Sequence, residues 1–307
     1  MPLINNQENG VYIITVTPFL PNGTIDESST DRLTDFYFEQ GANGLTILGM
    51  MGEAPKLTLQ ESVSVTLQTL KRASGKPVIV GVSAPGLAAV GELSARVMDA
   101  GAAGVMVAPP STLRTDEQII QYFDNVIETL GPNIPVALQD FPLATGVQIS
   151  SSVLIRLFNT HKSIVMLKHE DWPGLEKISD IRAAEAHGTP RVSILCGNAG
   201  MFLPEEMVRG ADGAMTGFGY PEMMVKVVDL IKQGRRELAQ DLFDIYLPLM
   251  RYEQQPGLGL AIRKHILARR GVIAHAALRR PGPALNSTMI SEIEYLITRQ
   301  TTKLAKL

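Results

Sequence analysis

The sequence predicts an α/β fold: a (β/α)8 TIM barrel over residues 1–234 with a C-terminal helical extension over residues 235–307. Eight short, β-rich apolar runs recur with starts roughly 20 to 35 residues apart, about the length of a strand–helix unit. Segments with helical apolar periodicity separate them. After residue 220 the pattern turns helical only. Alternating β and α units argue for a parallel sheet, and eight is the strand number that closes a barrel. The competing arrangement is an open doubly wound sheet, which has fewer strands and a glycine-rich turn after the first one. Here the first run ends Thr17-Pro18-Phe19, with no such turn.

The apolar runs lie at 11–19, 44–49, 77–83, 104–110, 135–142, 164–170, 191–198 and 213–220. Behind the first, Leu33, Phe36 and Tyr37 share a helical face that stops at Gly41. Behind the second, Thr58 is a good N-cap with Glu61 three residues on, a capping box, and Leu59, Val63, Thr66, Leu67 and Leu70 follow as its apolar stripe. Val153, Leu154, Leu157 and Phe158 follow the serines at 150–152. Gly41, Gly75, Gly101 and Gly210 precede strands in positions that suit a helix C-cap. In the extension, Pro256, Gly257, Pro281 and Pro283 mark breaks, and Leu242, Ile245, Tyr246 and Leu249 form the stripe of a packed helix.

Composition narrows the function. Of 307 residues, 45% are hydrophobic and 19% charged, with a net charge of -3, so neither nucleic acid nor an anionic membrane is expected as partner. Cys196 is the single cysteine, which excludes an internal disulfide and suits a reducing cytosol. The first ten residues lack a basic stretch followed by an apolar one, so no signal peptide is expected. No apolar run approaches the roughly 20 residues of a membrane span. A cytoplasmic protein is the expectation.

In a barrel, catalytic groups stand at the C-terminal ends of the strands. Lys168 is the outstanding candidate, because the apolar run 164–167 precedes it. Desolvation disfavours an ammonium ion and leaves a fraction of free amine. A free amine attacks a carbonyl carbon to give an imine, which then acts as an electron sink. The plain alternative is a strand-end lysine snorkelling to solvent. Side chains alternate along a strand, so Glu170 shares the face of Lys168 and His169 points the other way. Glu170 is then either a proton-transfer group or simply a salt-bridge partner of the lysine or a solvent-exposed carboxylate. Met50 and Met51, between Gly49 and Gly52, either line a pocket or pack in the core. Gly197 and Met215, at the ends of strands 7 and 8, are further candidates for substrate contact. The Gly217-Phe218-Gly219 turn either cradles a phosphate on its N–H groups or is a tight turn. His169, Glu170 and Asp171 are consecutive and cannot all face one ion, so no metal is expected, and no cofactor.

Taken together, Thr17-Pro18-Phe19, the Gly-x-x-Gly-Glu segment at 49–53 followed by Leu57-Thr58, the stretch from Pro135 through Pro142 to Thr145-Gly146, and Lys168 on strand 6 resemble the dihydrodipicolinate synthase / N-acetylneuraminate lyase superfamily. The resemblance covers nearly the whole chain. It implies a barrel with C-terminal helices, an imine between Lys168 and a 2-oxo acid, and usually a homotetramer. Several positions depart from the family pattern. Met50 and Met51 stand where the family has paired threonines. Gln139 replaces the strand-5 tyrosine, Pro110 and Ser111 a tyrosine pair, and no arginine appears near Ala144. These losses argue against dihydrodipicolinate synthase activity and weaken an aldolase reading, because an amide does not titrate as a phenol does. Gln139-Asp140, the 213–221 segment, Leu247-Pro248-Leu249, the 271–274 segment and the Lys-x-Glu at 168–170 resemble the L-2-keto-3-deoxyarabonate dehydratase branch. The resemblance implies dehydration of a 2-keto-3-deoxy sugar acid, with Lys168, Glu170 and Gln139 carrying the chemistry. A pyruvate-releasing lyase or a non-enzymatic 2-oxo-acid binder are the alternatives.

Overall fold

A computed structural model describes residues 2–307. The strands are β1 Gly10–Ile14, β2 Gly44–Ile47, β3 Val78–Gly81, β4 Gly104–Val107, β5 Val136–Asp140, β6 Ile164–His169, β7 Ser193–Cys196 and β8 Gly213–Thr216. They form a closed barrel in chain order. All neighbours are parallel, and β8 returns to β1 through pairs running from Gly10↔Gly213 to Ile13↔Thr216.

All eight expected runs contain a strand, but each strand stops short of the run's C-terminal end. β1 ends at Ile14 rather than Phe19, and β8 at Thr216 rather than Tyr220. The ladder ends there because the chain turns over the barrel mouth. The apolar composition continues because Val16 and Phe218 are buried in the layer between strands and helices, and Phe19 is buried against Lys264.

The connecting helices are α1 Glu27–Glu39, α2 Leu59–Ala73, α3 Leu87–Asp99, α4 Asp116–Leu130, the single turn α5 Pro142–Thr145, α6 Ser151–Thr160, α7 Leu175–Ala186, α8 Leu203–Val208 and α9 Pro221–Lys232. The capping box at Thr58 and Glu61 is formed in both directions. Gly41, Gly75, Gly101 and Gly210 take the left-handed backbone expected just past a helix end. The stripe expected on α2 is displaced: Ser62, Val65, Thr66, Thr69, Leu70 and Ala73 face inward, while Leu67 is half exposed. Thr66 is accommodated because its hydroxyl donates to the Ser62 carbonyl within the helix.

The core has two layers. Inside the barrel, Tyr12, Ile14, Met106, Met166, Leu195 and Met215 pack in one cluster. Outside it, a larger cluster joins the outward strand faces to the helices. Beyond α9 come α10 Arg236–Glu253, α11 Gly259–Arg269 and α12 Ser287–Leu304. Residue 235 lies in the turn between α9 and α10, and the outer cluster continues through Leu242, Leu249 and Ile293 of these last helices. Among the described residues, no helix is long and apolar enough to cross a membrane.

Candidate active site

The alternation of β6 sets the site. Met166 belongs to the barrel interior, so Lys168, two residues on, points into the mouth. β5 lies beside it in register, with Gln139 opposite Lys168. Glu170 follows β6 on the same face. Its Oε2 is 3.0 Å from Lys168 Nζ and accepts from Gln139 Nε2 at 2.7 Å. Lys168 and Glu170 are each 5% exposed, so the pair is buried rather than snorkelling. Because a carboxylate only accepts, the Gln139 amide must turn its NH2 group toward it.

Gly197, just past the end of the neighbouring β7, explains how the carboxyl fits. A Cβ there would stand 2.1 Å from Glu170 Cγ and 2.5 Å from its Oε1. The missing side chain leaves the space the carboxyl occupies. Asn198 then locks the segment, donating from Nδ2 to the Glu170 carbonyl at 2.7 Å, and Ala199 N donates to Thr216 Oγ1 at 2.8 Å.

These groups open on a cavity of about 370 Å3 at the mouth, lined also by Met50, Met51, Trp172 and Arg263. Neither tyrosine nor histidine lines it among the described residues. Of the residues expected to meet substrate, Met50 and Met51 reach the cavity wall. Gly49, Gly52, Gly197 and Met215 do not line it. The Gly52 carbonyl is taken by Thr17 Oγ1 at 2.6 Å, Gly197 makes room for Glu170, and Met215 is fully buried in the interior cluster below. The 217–219 turn is also committed. Gly219 N donates to Glu253 Oε2 at 3.0 Å, and Phe218 is fully buried, so the N–H array for a phosphate is not open.

His169 and Asp140 face the outer layer, as alternation requires. Lys177 of α7 bridges Asp140 and Asp171, 2.7 Å from each. Burial pushes the Asp140 carboxyl up to about 6, against the pull of Lys177. Burial, helped by the Lys177 charge, pushes His169 down to about 4. Among the described residues, no cluster of three His, Cys, Asp or Glu side chains has a metal-holding arrangement.

Asn198, Thr216 and Arg263 also line the cavity, and sequence reasoning does not single them out. The first two are polar residues at strand ends, a signal within reach. Arg263 lies on α11, far along the chain, with no local pattern to mark it.

A model of the dihydrodipicolinate synthetase family matches residues 7–300. The L-2-keto-3-deoxyarabonate dehydratase of Azospirillum brasilense is 28% identical over 292 residues, 94% of this chain and 93% of that protein. The 4-hydroxy-tetrahydrodipicolinate synthase of Persephonella marina is 29% identical over 246 residues, 79% of this chain and 81% of its own. A crystal structure described as dihydrodipicolinate synthase from Rhodopseudomonas palustris superposes with a TM-score of 0.96 at 51% identity, over 97% of this chain and 100% of that one. The chain belongs to the dihydrodipicolinate synthetase family of lyases.

Proposed function

We propose that the chain dehydrates a 2-keto-3-deoxy sugar acid through an imine on Lys168. The observation that carries this reading is the buried Lys168–Glu170–Gln139 cluster in a cavity with no phenol among the described residues. The Glu170 carboxylate stabilises the lysine ammonium at rest, so attack on the C2 carbonyl passes the amine proton toward Glu170. Glu170 returns that proton to the carbinolamine hydroxyl, whose loss as water gives the iminium, which acidifies C3–H. Glu170 takes that proton, and the enamine expels the C4 hydroxyl, which leaves as water with the proton Glu170 returns. General acid–base groups of this kind typically supply about 10²–10⁴-fold. Gln139 holds the carboxylate in place and acts as a positioning residue. Retro-aldol cleavage instead needs a base on a hydroxyl, and a phenol that commonly serves is missing.

A synthase reading is favoured by the description of the 51%-identical R. palustris structure and by the P. marina synthase among the relatives. The two are separated by assay. The chain is incubated with borohydride and pyruvate or a 2-keto-3-deoxy sugar acid, and its peptides are weighed. An adduct at Lys168, abolished in Lys168→Ala, together with loss of water from the sugar acid, supports the dehydratase. Release of pyruvate moves the assignment to an aldolase, condensation of pyruvate with an aldehyde to a synthase, and an adduct without turnover to a 2-oxo-acid binder. No adduct at Lys168 overturns the imine. A cytoplasmic homotetramer, acting on this small molecule without a cofactor, completes the proposal.

A further inference from the structure

We propose that Arg263, on α11 of the C-terminal extension, binds the carboxylate of the 2-oxo acid. This rests on the reading that the cavity takes such an acid. In the loop after β2, Met50 and Met51 line the cavity with thioethers, so that loop offers a carboxylate only its backbone N–H groups, with no side-chain donor and no positive charge.

The guanidinium reaches the mouth over the glycine that follows β8. Met215 faces the barrel interior, so position 217, two residues on, points the same way. Position 217 is glycine, and a Cβ there would lie 2.4 Å from Arg263 Nη1. The guanidinium therefore occupies the place of an inward side chain. β1 lies between β8 and β2, so Arg263 and the Met50–Gly52 turn flank the same edge of the mouth. The carboxylate of a 2-oxo acid is one bond from the carbon that Lys168 attacks, so its reader must stand at this mouth.

The hydrogen bonding leaves the guanidinium ready for a ligand. Arg263 is 2% exposed and Nε donates to Glu253 Oε1 at 2.7 Å. Glu253 is fully buried and also accepts from Gly219 N. That fixes the guanidinium from behind. Nη1 is buried and, among the described residues, has no protein acceptor. Buried donors of a charged group are normally satisfied, so an orphan beside a cavity calls for a partner. A carboxylate meets that requirement with a charge-assisted hydrogen bond.

The test uses pyruvate and its uncharged analogue pyruvamide on the full chain. Arg263→Gln is combined with Glu253→Gln, so that no buried carboxylate is left unpaired. Thermal stabilisation by pyruvate but not by pyruvamide in the parent, weakened about tenfold or more in apparent affinity in the double variant, supports the assignment. Equal pyruvate affinity in parent and variant overturns it. If the double variant does not fold, Arg263→Lys replaces it, since the shorter side chain keeps the charge beside Glu253 but withdraws the fork; unchanged affinity there overturns the assignment as well. Borohydride trapping is run in parallel. A retained pyruvate shift without an adduct overturns the imine reading alone, which keeps the two failures apart.

Discussion

At the scale of single residues, the site depends on a side chain that is missing. Gly197→Ala places a methyl group 2.1 Å from Glu170 Cγ, and the carboxyl has to leave its position between Lys168 and Gln139. Turnover is expected to fall by about 10²-fold or more, the worth of a positioned acid–base group. Borohydride trapping of pyruvate on Lys168 survives, because the amine itself is untouched. Loss of trapping together with turnover would show that Gly197 supports the fold rather than Glu170. The sequence makes Lys168, Glu170 and Gln139 legible, since strand alternation fixes which residues share a face. It leaves the role of Gly197 illegible, because a glycine's purpose is set by the neighbour that fills its space. Arg263 is illegible for a related reason: it enters the site over a glycine from a helix that sequence periodicity places outside the barrel.

At the scale of elements, the loop after β2 is held by the last helices. Glu53 has a left-handed backbone, with φ 56°, and is 2% exposed. It accepts from Lys264 Nζ at 2.6 Å, Lys56 Nζ at 2.8 Å and Arg279 N at 3.1 Å. Lys264 is fully buried with its amine over the Phe19 ring. The Gly-x-x-Gly-Glu segment thus spends its acid on anchoring α11, the helix that carries Arg263. Glu53→Gln leaves the Lys264 charge buried without its partner, a loss of about 3–5 kcal/mol. A fall in the urea midpoint at neutral pH checks this. A midpoint within error of the parent would mean that Lys264 sheds its proton at little cost. The acid is visible in the sequence and its partner, 211 residues away, is not. The α2 stripe fails for another physical reason. Threonine and serine hydroxyls that bond to their own helix can be buried, so apolar periodicity alone misplaces the inward face.

At the scale of the whole molecule, buried ionisable groups shape stability against pH, and their signs differ. Glu206 on α8, 4% exposed, has its carboxyl pushed by burial from an ordinary 4.5 to about 8. The folded state therefore holds a proton that the unfolded chain releases. This stabilisation is complete below the ordinary value and is lost as pH rises toward about 8. Asp140, raised from 3.8 to about 6, has the same sign over the lower part of that range. His169, lowered from 6.5 to about 4, has the opposite sign, because the unfolded chain binds the proton that the folded state excludes. These two overlap between about 4 and 6 and largely offset each other. Lys264, lowered from 10.5 to about 8, makes stability rise with pH only above about 8. Between pH 6.5 and 8 the slope belongs to Glu206, with each pH unit worth up to about 1.4 kcal/mol. Glu206→Gln keeps the shape of the side chain and removes the proton. Its stability relative to the parent, read from thermal midpoints, is expected to improve steadily from pH 6.5 to 8. A difference that stays constant across that interval would show that Glu206 is already ionised in the folded protein.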